Sequence, residues 1–169
     1  MPPSDRFTFQ PATTKDAPAL AALHTATASR LTEVHGPGHW SSKTTEKGVL
    51  FALRHHDVYV ARLGSELVGT LQLTKKKPWA IDTRYFTPCE LPLYLINMAI
   101  APAQQRHGIG RRCLEEAKGI ARVGPANAIR LDAYDAPAGA GGFYASCGWT
   151  EVGRASYRDV SLIYYELLL

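Results

Sequence analysis

Apolar and polar positions alternate along parts of the chain and switch to helical spacing in others, and the switches divide it into elements. Residues 6–10 alternate and predict a strand. Thr13 and Asp16 are spaced as in a capping box, and Asp16 is a second candidate cap that would put Pro18 in the first helical turn, where a missing N–H costs little. Leu20, Leu23 and Leu31 come next at helical spacing with Thr27 on the same face, until 34–40, with Gly36, Pro37 and Gly38, breaks the helix. Ser42 or Thr44 is positioned to cap a second helix reaching about His55. Residues 58–63 and 67–73 predict two strands joined by a turn at Gly64 and Ser65. The stretch 74–92 fits neither period. It holds Pro78, Pro88 and Pro92 with Trp79, Asp82, Tyr85 and Phe86 between them, and its aromatic content argues against disorder.

A bulky apolar run over 93–100 predicts a buried strand, which Ala101 and Pro102 end because proline brings no N–H donor to a sheet. Gln105-Arg106-His107-Gly108-Ile109-Gly110 comes after it, and then 111–123 repeats Cys113, Leu114, Ala117, Ile120 and Ala121 at helical spacing before Gly124 and Pro125 stop it. Residues 128–134 predict another strand, 140–146 a short helix, and 150–153 with 161–168 a closing pair of strands.

The order strand, glycine loop, helix makes an anion site from the main chain. The first N–H groups of a helix lack carbonyl partners, and the macrodipole adds partial positive charge there. Gly108 and Gly110 let a diphosphate approach closely, and Arg106, His107, Arg111 and Arg112 bring positive charge to the same turn. A P-loop would need Lys and Ser or Thr after Gly110, where Arg111 and Arg112 stand. A dinucleotide fingerprint would need a third glycine where Cys113 stands, and glycines directly on the strand end.

The loop instead resembles a third motif. Gln105-x-x-Gly108-x-Gly110 is similar to the Q/R-x-x-G-x-G/A motif of the GNAT-type N-acetyltransferases. Three further stretches resemble that family in the right order: 6–16 its first strand and helix entry, Val68-Gly69-Thr70-Leu71 its third strand, and Phe143-Tyr144-Ala145-Ser146-Cys147-Gly148-Trp149 its Phe-Tyr-x-x-x-Gly-Phe signature. The resemblance implies an α/β (α+β) fold, one GNAT-like domain over 1–169. Its mixed central sheet would have about six to seven strands, flanked by about four helices, with strands four and five splayed. It also implies acetyl-coenzyme A as cosubstrate and acetyl transfer to a primary amine of a small molecule or peptide, by direct attack in a ternary complex.

The same resemblance implies residue roles. Gln105, Arg106, His107, Gly108, Ile109, Gly110 and Arg111 would hold the pyrophosphate of the coenzyme, and the main chain of Met98, Ala99 and Ile100 would bond the pantetheine arm and stabilise the oxyanion. Tyr144, as the tyrosine of the Phe-Tyr signature, would protonate the leaving thiolate, since a phenol with a pKa of about 10 stays protonated at neutral pH. Tyr94 takes the catalytic strand-four position where many relatives carry a glutamate, so the proton of the amine must go to water or to a group from elsewhere; Glu33, His35, His39 and Asp132 are the candidates. Asp132, Tyr134 and Tyr85, with Asp82, hint at a cationic or aromatic acceptor, and the stretch 74–92 is either an insertion near the acceptor pocket or a cover for a sheet edge. Pro137 replaces an asparagine that bonds pantetheine in relatives, so that contact is either lost or made by backbone N–H groups such as those of 139–141. The alternative is a catalytically inactive coenzyme-A-binding sensor of the same fold.

Composition narrows the reading further. At 169 residues and 20% charged, the chain suits one ordinary globular domain. Cys89, Cys113 and Cys147 are odd in number and lack metal-ligand spacing, so neither a disulfide framework nor a metal site is expected. The formal net charge of +4 concentrates at Lys75-Lys76-Lys77 and at 106–112; the second cluster is accounted for by coenzyme phosphates, and no nucleic-acid motif accompanies the first. No apolar stretch is long enough to cross a membrane, and residues 1–6 lack the apolar core of a leader, so the expectation is a cytoplasmic monomer or homodimer.

Overall fold

The structure is a computed structural model and describes residues 6–169; the expected lack of a leader rests mostly on 1–5, outside the described residues. Among the described residues seven strands form one sheet: β1 (Phe7–Pro11), β2 (Asp57–Leu63), β3 (Glu66–Thr74), β4 (Pro92–Ile100), β5 (Ala128–Tyr134), β6 (Thr150–Tyr157) and β7 (Val160–Leu168), in the order β1-β2-β3-β4-β5-β7-β6. Four α-helices accompany them among the described residues: α1 (Ala17–His35), α2 (Glu46–His55), α3 (Ile109–Val123) and α4 (Gly141–Ser146). β4 and β5 run parallel, whereas β1 with β2, β2 with β3, β5 with β7 and β6 with β7 are antiparallel, so the sheet is mixed, as expected. The chain divides into two compact units, one from the described residues up to Leu73 with Asn97–Glu116, the other from Thr74–Ile96 with Ala117–Leu169.

In the first unit, Val58 and Val60 of β2 are buried under Ala17, Leu20 and Ala21 of α1 and Val49 of α2. Burying these apolar faces is the main force holding helix to sheet. Asp16 precedes α1 but makes no cap bond to it. Its carboxylate accepts from the Thr13 N–H at 2.8 Å and pairs with Arg62 of β2, so it locks the entry to α1 rather than capping it. The cap of α2 is Thr45, whose hydroxyl accepts from the Gly48 N–H at 3.1 Å. This corrects the choice of Ser42 or Thr44: the cap bond must reach the third helical N–H, and the helix begins at Glu46.

In the second unit, Ile81, Phe86, Tyr94, Leu162 and Tyr164 form a buried cluster. The stretch 74–92 is therefore ordered, with a 3-10 turn over Thr83–Tyr85. Tyr164 of β7 donates its hydroxyl to the Ala80 carbonyl and accepts from the Asp82 N–H at 3.3 Å. Buried Arg130 donates to the Thr87 carbonyl at 2.8 Å, and buried Glu166 accepts from the Thr87 N–H at 3.1 Å. β6 is longer than expected, running to Tyr157, because its outer half pairs residue for residue with β7.

Candidate functional site

The first unit carries the glycine loop. Ala101 at the end of β4 donates to the Val68 carbonyl at 2.8 Å, and a Cβ at Gly69 would meet Ile100 Cδ1 at 2.9 Å, so β3 and β4 lie close here. Asn97 interrupts β4 with φ of +50°, a left-handed residue inside a strand. Such a residue breaks the regular ladder and re-aims the main chain of Met98, Ala99 and Ile100. Asparagine tolerates this conformation better than most other non-glycine residues. The apolar pattern alone makes Asn97 plain strand; an asparagine inside an apolar run is the one signal of the interruption.

Beyond β4 the chain makes a 3-10 turn over Pro102–Gln104 and a further turn over 105–108. The Gln105 side chain donates to the Ile100 carbonyl at 3.1 Å and ties the loop to the strand end. Arg106 and Gly108 both take left-handed backbone, φ +64° and +82°, and helix α3 starts at the next residue, Ile109, two residues earlier than expected. Ile109 is buried and anchors that start, whereas Gln105, Arg106, His107 and Gly108 are exposed. A Cβ at Gly108 would meet nothing within 4 Å, so open space lies against the main chain at the head of α3. A 15-residue helix presenting its first turn beside a left-handed bend of this kind suits a diphosphate. Arg112 is turned away from that role: its guanidinium lies 3.9 Å from the centre of the Phe7 ring.

The second unit carries the other predicted side chains. Tyr144 of α4 is buried among Phe143, Trp149 and Tyr165, with ring centres 5.3, 5.7 and 6.1 Å away. Burial, reinforced by the charge of Asp132, raises its phenol well above the ordinary value, so it is fully protonated at neutral pH. The turn before α4 is tight. A Cβ at Gly139 would lie 1.9 Å from the Tyr134 carbonyl oxygen, and the Gly139 N–H donates to the Ala136 carbonyl at 2.8 Å. That N–H is therefore engaged inside the turn.

Tyr94 is only 3% exposed and sits in the buried cluster, with Arg130 Nη1 donating to its hydroxyl at 3.3 Å. Asp132 and Tyr164 face each other across β5 and β7, and Tyr134 stands two residues on along the same face. Burial raises the Asp132 carboxyl above its ordinary value, and no cation pairs with it among the described residues. Tyr85 is partly exposed, meets Tyr164 edge-on at 5.4 Å, and fills the space that a side chain at Gly153 would need. Asp82 is held down to about 2 by its hydrogen bonds from Arg84 and is therefore engaged already. Among the other base candidates, Glu33 pairs with Arg30 at 3.4 Å, and Glu33, His35 and His39 are exposed. Burial pushes the Cys113 thiol up to about 12, which makes it inert.

The acetyltransferase (GNAT) domain family model matches residues 54–151, which include the glycine loop, Asp132 and Tyr144. No curated protein matches the sequence. Among solved structures, yncA of Salmonella typhimurium, determined with its cofactor acetyl-CoA, is 16% identical, with a TM-score of 0.69 over 96% of this chain and 93% of that one. The ribosomal-protein-alanine N-acetyltransferase of Brucella melitensis is 19% identical, with a TM-score of 0.71 over 96% of this chain and 99% of that one. The ribosomal-protein-S18-alanine N-acetyltransferase of Escherichia coli is 18% identical, with a TM-score of 0.66 over 96% of this chain and 94% of that one. These likenesses establish the fold, and the family match over more than half of the sequence establishes that the chain belongs to the GNAT acetyltransferase family.

Proposed function

We propose that this chain transfers an acetyl group from acetyl-coenzyme A to a primary amine of a small molecule or peptide terminus, by direct attack in a ternary complex. The observation that carries the reading is the loop 105–110: two left-handed residues and an open glycine at the head of α3, in a chain of a family whose cosubstrate is acetyl-coenzyme A. The likeness to yncA, solved with acetyl-CoA, and to two ribosomal-protein-alanine N-acetyltransferases supports the donor and an amine acceptor. In this reading the N–H groups of 108–111 and the charges of Arg106 and Arg111 bind the diphosphate, and main-chain groups of Met98, Ala99 and Ile100 bond the arm and the developing oxyanion. The coenzyme supplies an activated thioester. Tyr144 gives its phenolic proton to the departing sulfur, and Asp132, Tyr134 and Tyr85 bind the acceptor. The whole of 1–169 acts as one cytoplasmic GNAT domain, as a monomer or homodimer.

Tyr94 in place of a strand-four carboxylate favours a second reading, a coenzyme-A sensor without turnover. One assay separates the two. Release of free thiol from acetyl-coenzyme A is followed with and without a panel of amines, beside a direct binding measurement. Amine-dependent release is expected. Tight binding without release assigns the sensor role, and failure to bind the coenzyme removes both readings.

A further inference from the structure

The stretch 74–92 carries three consecutive lysines, Lys75, Lys76 and Lys77, and a tryptophan, Trp79, with no part in the acetyl transfer. Trp79 is 82% exposed, although tryptophan has one of the largest apolar surfaces of any side chain. A single exposed ring on a loose loop is common. Here the turn that bears the ring is fastened. The Ile81 N–H donates to the Pro78 carbonyl at 3.2 Å and closes a turn over 78–81, with Trp79 at its first central position. Ile81 is buried in the cluster with Phe86, Tyr94, Leu162 and Tyr164. The Tyr164 hydroxyl donates to the Ala80 carbonyl and accepts from the Asp82 N–H at 3.3 Å. Lys77 Nζ donates to the Pro78 carbonyl at 3.0 Å and to the Ile81 carbonyl at 2.8 Å.

A buried isoleucine, a tyrosine hydroxyl and a lysine ammonium thus fix a turn whose largest apolar ring faces water. A side chain on a backbone held in this way loses less freedom when a partner covers it, and tryptophan is among the residues that most often dominate an interface. The surroundings of the ring are cationic. Lys75 and Lys76 are exposed and form no ion pair among the described residues. The main chain there is tied down as well, because the Lys76 N–H donates to the buried Thr74 hydroxyl at 3.1 Å. The acid that follows the turn, Asp82, is already matched, with Arg84 Nη2 donating to its carboxylate at 2.6 Å. What the stretch offers a partner is one aromatic face and two unmatched ammonium groups.

We propose that this surface docks a short acidic segment of a polypeptide partner: an apolar side chain of the segment packs on Trp79, and its carboxylates pair with Lys75 and Lys76. The charges are complementary, and one ring with two cations matches a footprint of a few residues. A single-stranded nucleic acid fits less well. It is held by a track of cations along successive phosphates and by several rings on which bases stack. Lys77 is engaged with carbonyls and Arg84 with Asp82, so the track is too short. An anionic membrane calls for a cluster of about four or more free basic residues, which the same two engagements deny. Exposed ion pairs are individually weak, so the ring supplies most of the affinity while the lysines speed and orient the encounter. The docking surface does not depend on the acetyl-transfer reading, since a coenzyme sensor would hold the same segment.

The test is fluorescence anisotropy of a labelled peptide of glutamate and glycine with one central phenylalanine, titrated with the full chain at low salt. Saturable binding is expected, and it should weaken as salt is raised to physiological strength and beyond. Trp79→Ala should weaken it by at least about tenfold, and Trp79→Phe should recover part of that loss, which a general disturbance of the turn would not allow. Lys75→Glu and Lys76→Glu together should weaken it by a similar factor and remove the salt dependence. All three side chains are exposed, so the variants should keep the wild-type unfolding temperature and the wild-type affinity for coenzyme A. The same peptide with lysine for glutamate should not bind. A wild-type protein that ignores the acidic peptide, or takes the lysine peptide equally well, overturns the docking surface. So do variants that bind as the wild type does. Tighter binding of oligouridylate RNA, or of phosphatidylserine vesicles, at the same ionic strength would also overturn it, because the ring and the lysines would then serve phosphates and not carboxylates.

Discussion

Tyr144 and Asp132 are under one constraint, because burial raises the pKa of both and so favours the protonated form of each. Tyr144 packs against three aromatic rings, and removing only its hydroxyl leaves that packing in place. Tyr144→Phe is therefore expected to lower kcat about 100-fold while coenzyme affinity, read by calorimetry, changes less than about threefold. Unchanged kcat would remove Tyr144 from the acid role. Asp132 makes a prediction about stability. Its folded pKa lies above its unfolded value, so the folded state binds more protons between the two, and stability falls as pH rises through that window. At neutral pH the ionised carboxylate is a cost. Asp132→Asn should stabilise the fold by about 1 kcal/mol at pH 7 and by nothing below the unfolded carboxyl pKa, as read by urea unfolding at both pH values. A variant equally destabilised at both would show that the carboxylate has a hidden structural partner.

At the scale of elements, legibility in the sequence depends on whether the determinants are local. The pattern predicts β5 over 128–134 and the strand is Ala128–Tyr134, because a short apolar run carries its own signal. The glycine loop is readable for the same reason: its backbone is set by Arg106 and Gly108 within it. The stretch 74–92 is not, since the groups that order it come from far along the chain, Tyr164 on the Ala80 carbonyl and Glu166 on Thr87. The isolation of Asp132 is equally hidden, because it depends on Arg130 being occupied elsewhere. Two glycines of one region test the loop assignment. Gly119 lies inside α3 with nothing within 4 Å of an added Cβ, so Gly119→Ala should stabilise by about 0.5–1 kcal/mol and leave coenzyme binding alone. Gly108 also has open space, but at φ +82°, so Gly108→Val should cost about 1–2 kcal/mol from the backbone alone. The valine side chain would also occupy the space assigned to the diphosphate, and coenzyme affinity should be lost, not merely weakened in step with stability. Retained affinity in a folded Gly108→Val protein would move the diphosphate elsewhere.

For the molecule as a whole, a ligand held by the folded chain and not by the unfolded one must raise the unfolding temperature. At a hundredfold excess over Kd the gain is about 2.7 kcal/mol. For a chain of 169 residues that corresponds to a rise of about 5–10 °C. Acetyl-coenzyme A and coenzyme A should both produce it, since the diphosphate and the arm are common to them. NAD should not, although it too carries a diphosphate. A dinucleotide fingerprint uses its third glycine to pack the helix closely against the strand, and here that position is Cys113, which is fully buried inside α3. The charges assigned to the diphosphate, Arg106 and Arg111, lie on exposed residues, so the shift should shrink as salt is raised from low to physiological strength and beyond. A protein stabilised equally by NAD would have an anion site with no preference for the acyl donor. A protein stabilised by coenzyme A with no dependence on salt would hold it chiefly through the arm, along β4, and the loop at the head of α3 would lose its place as the origin of donor recognition.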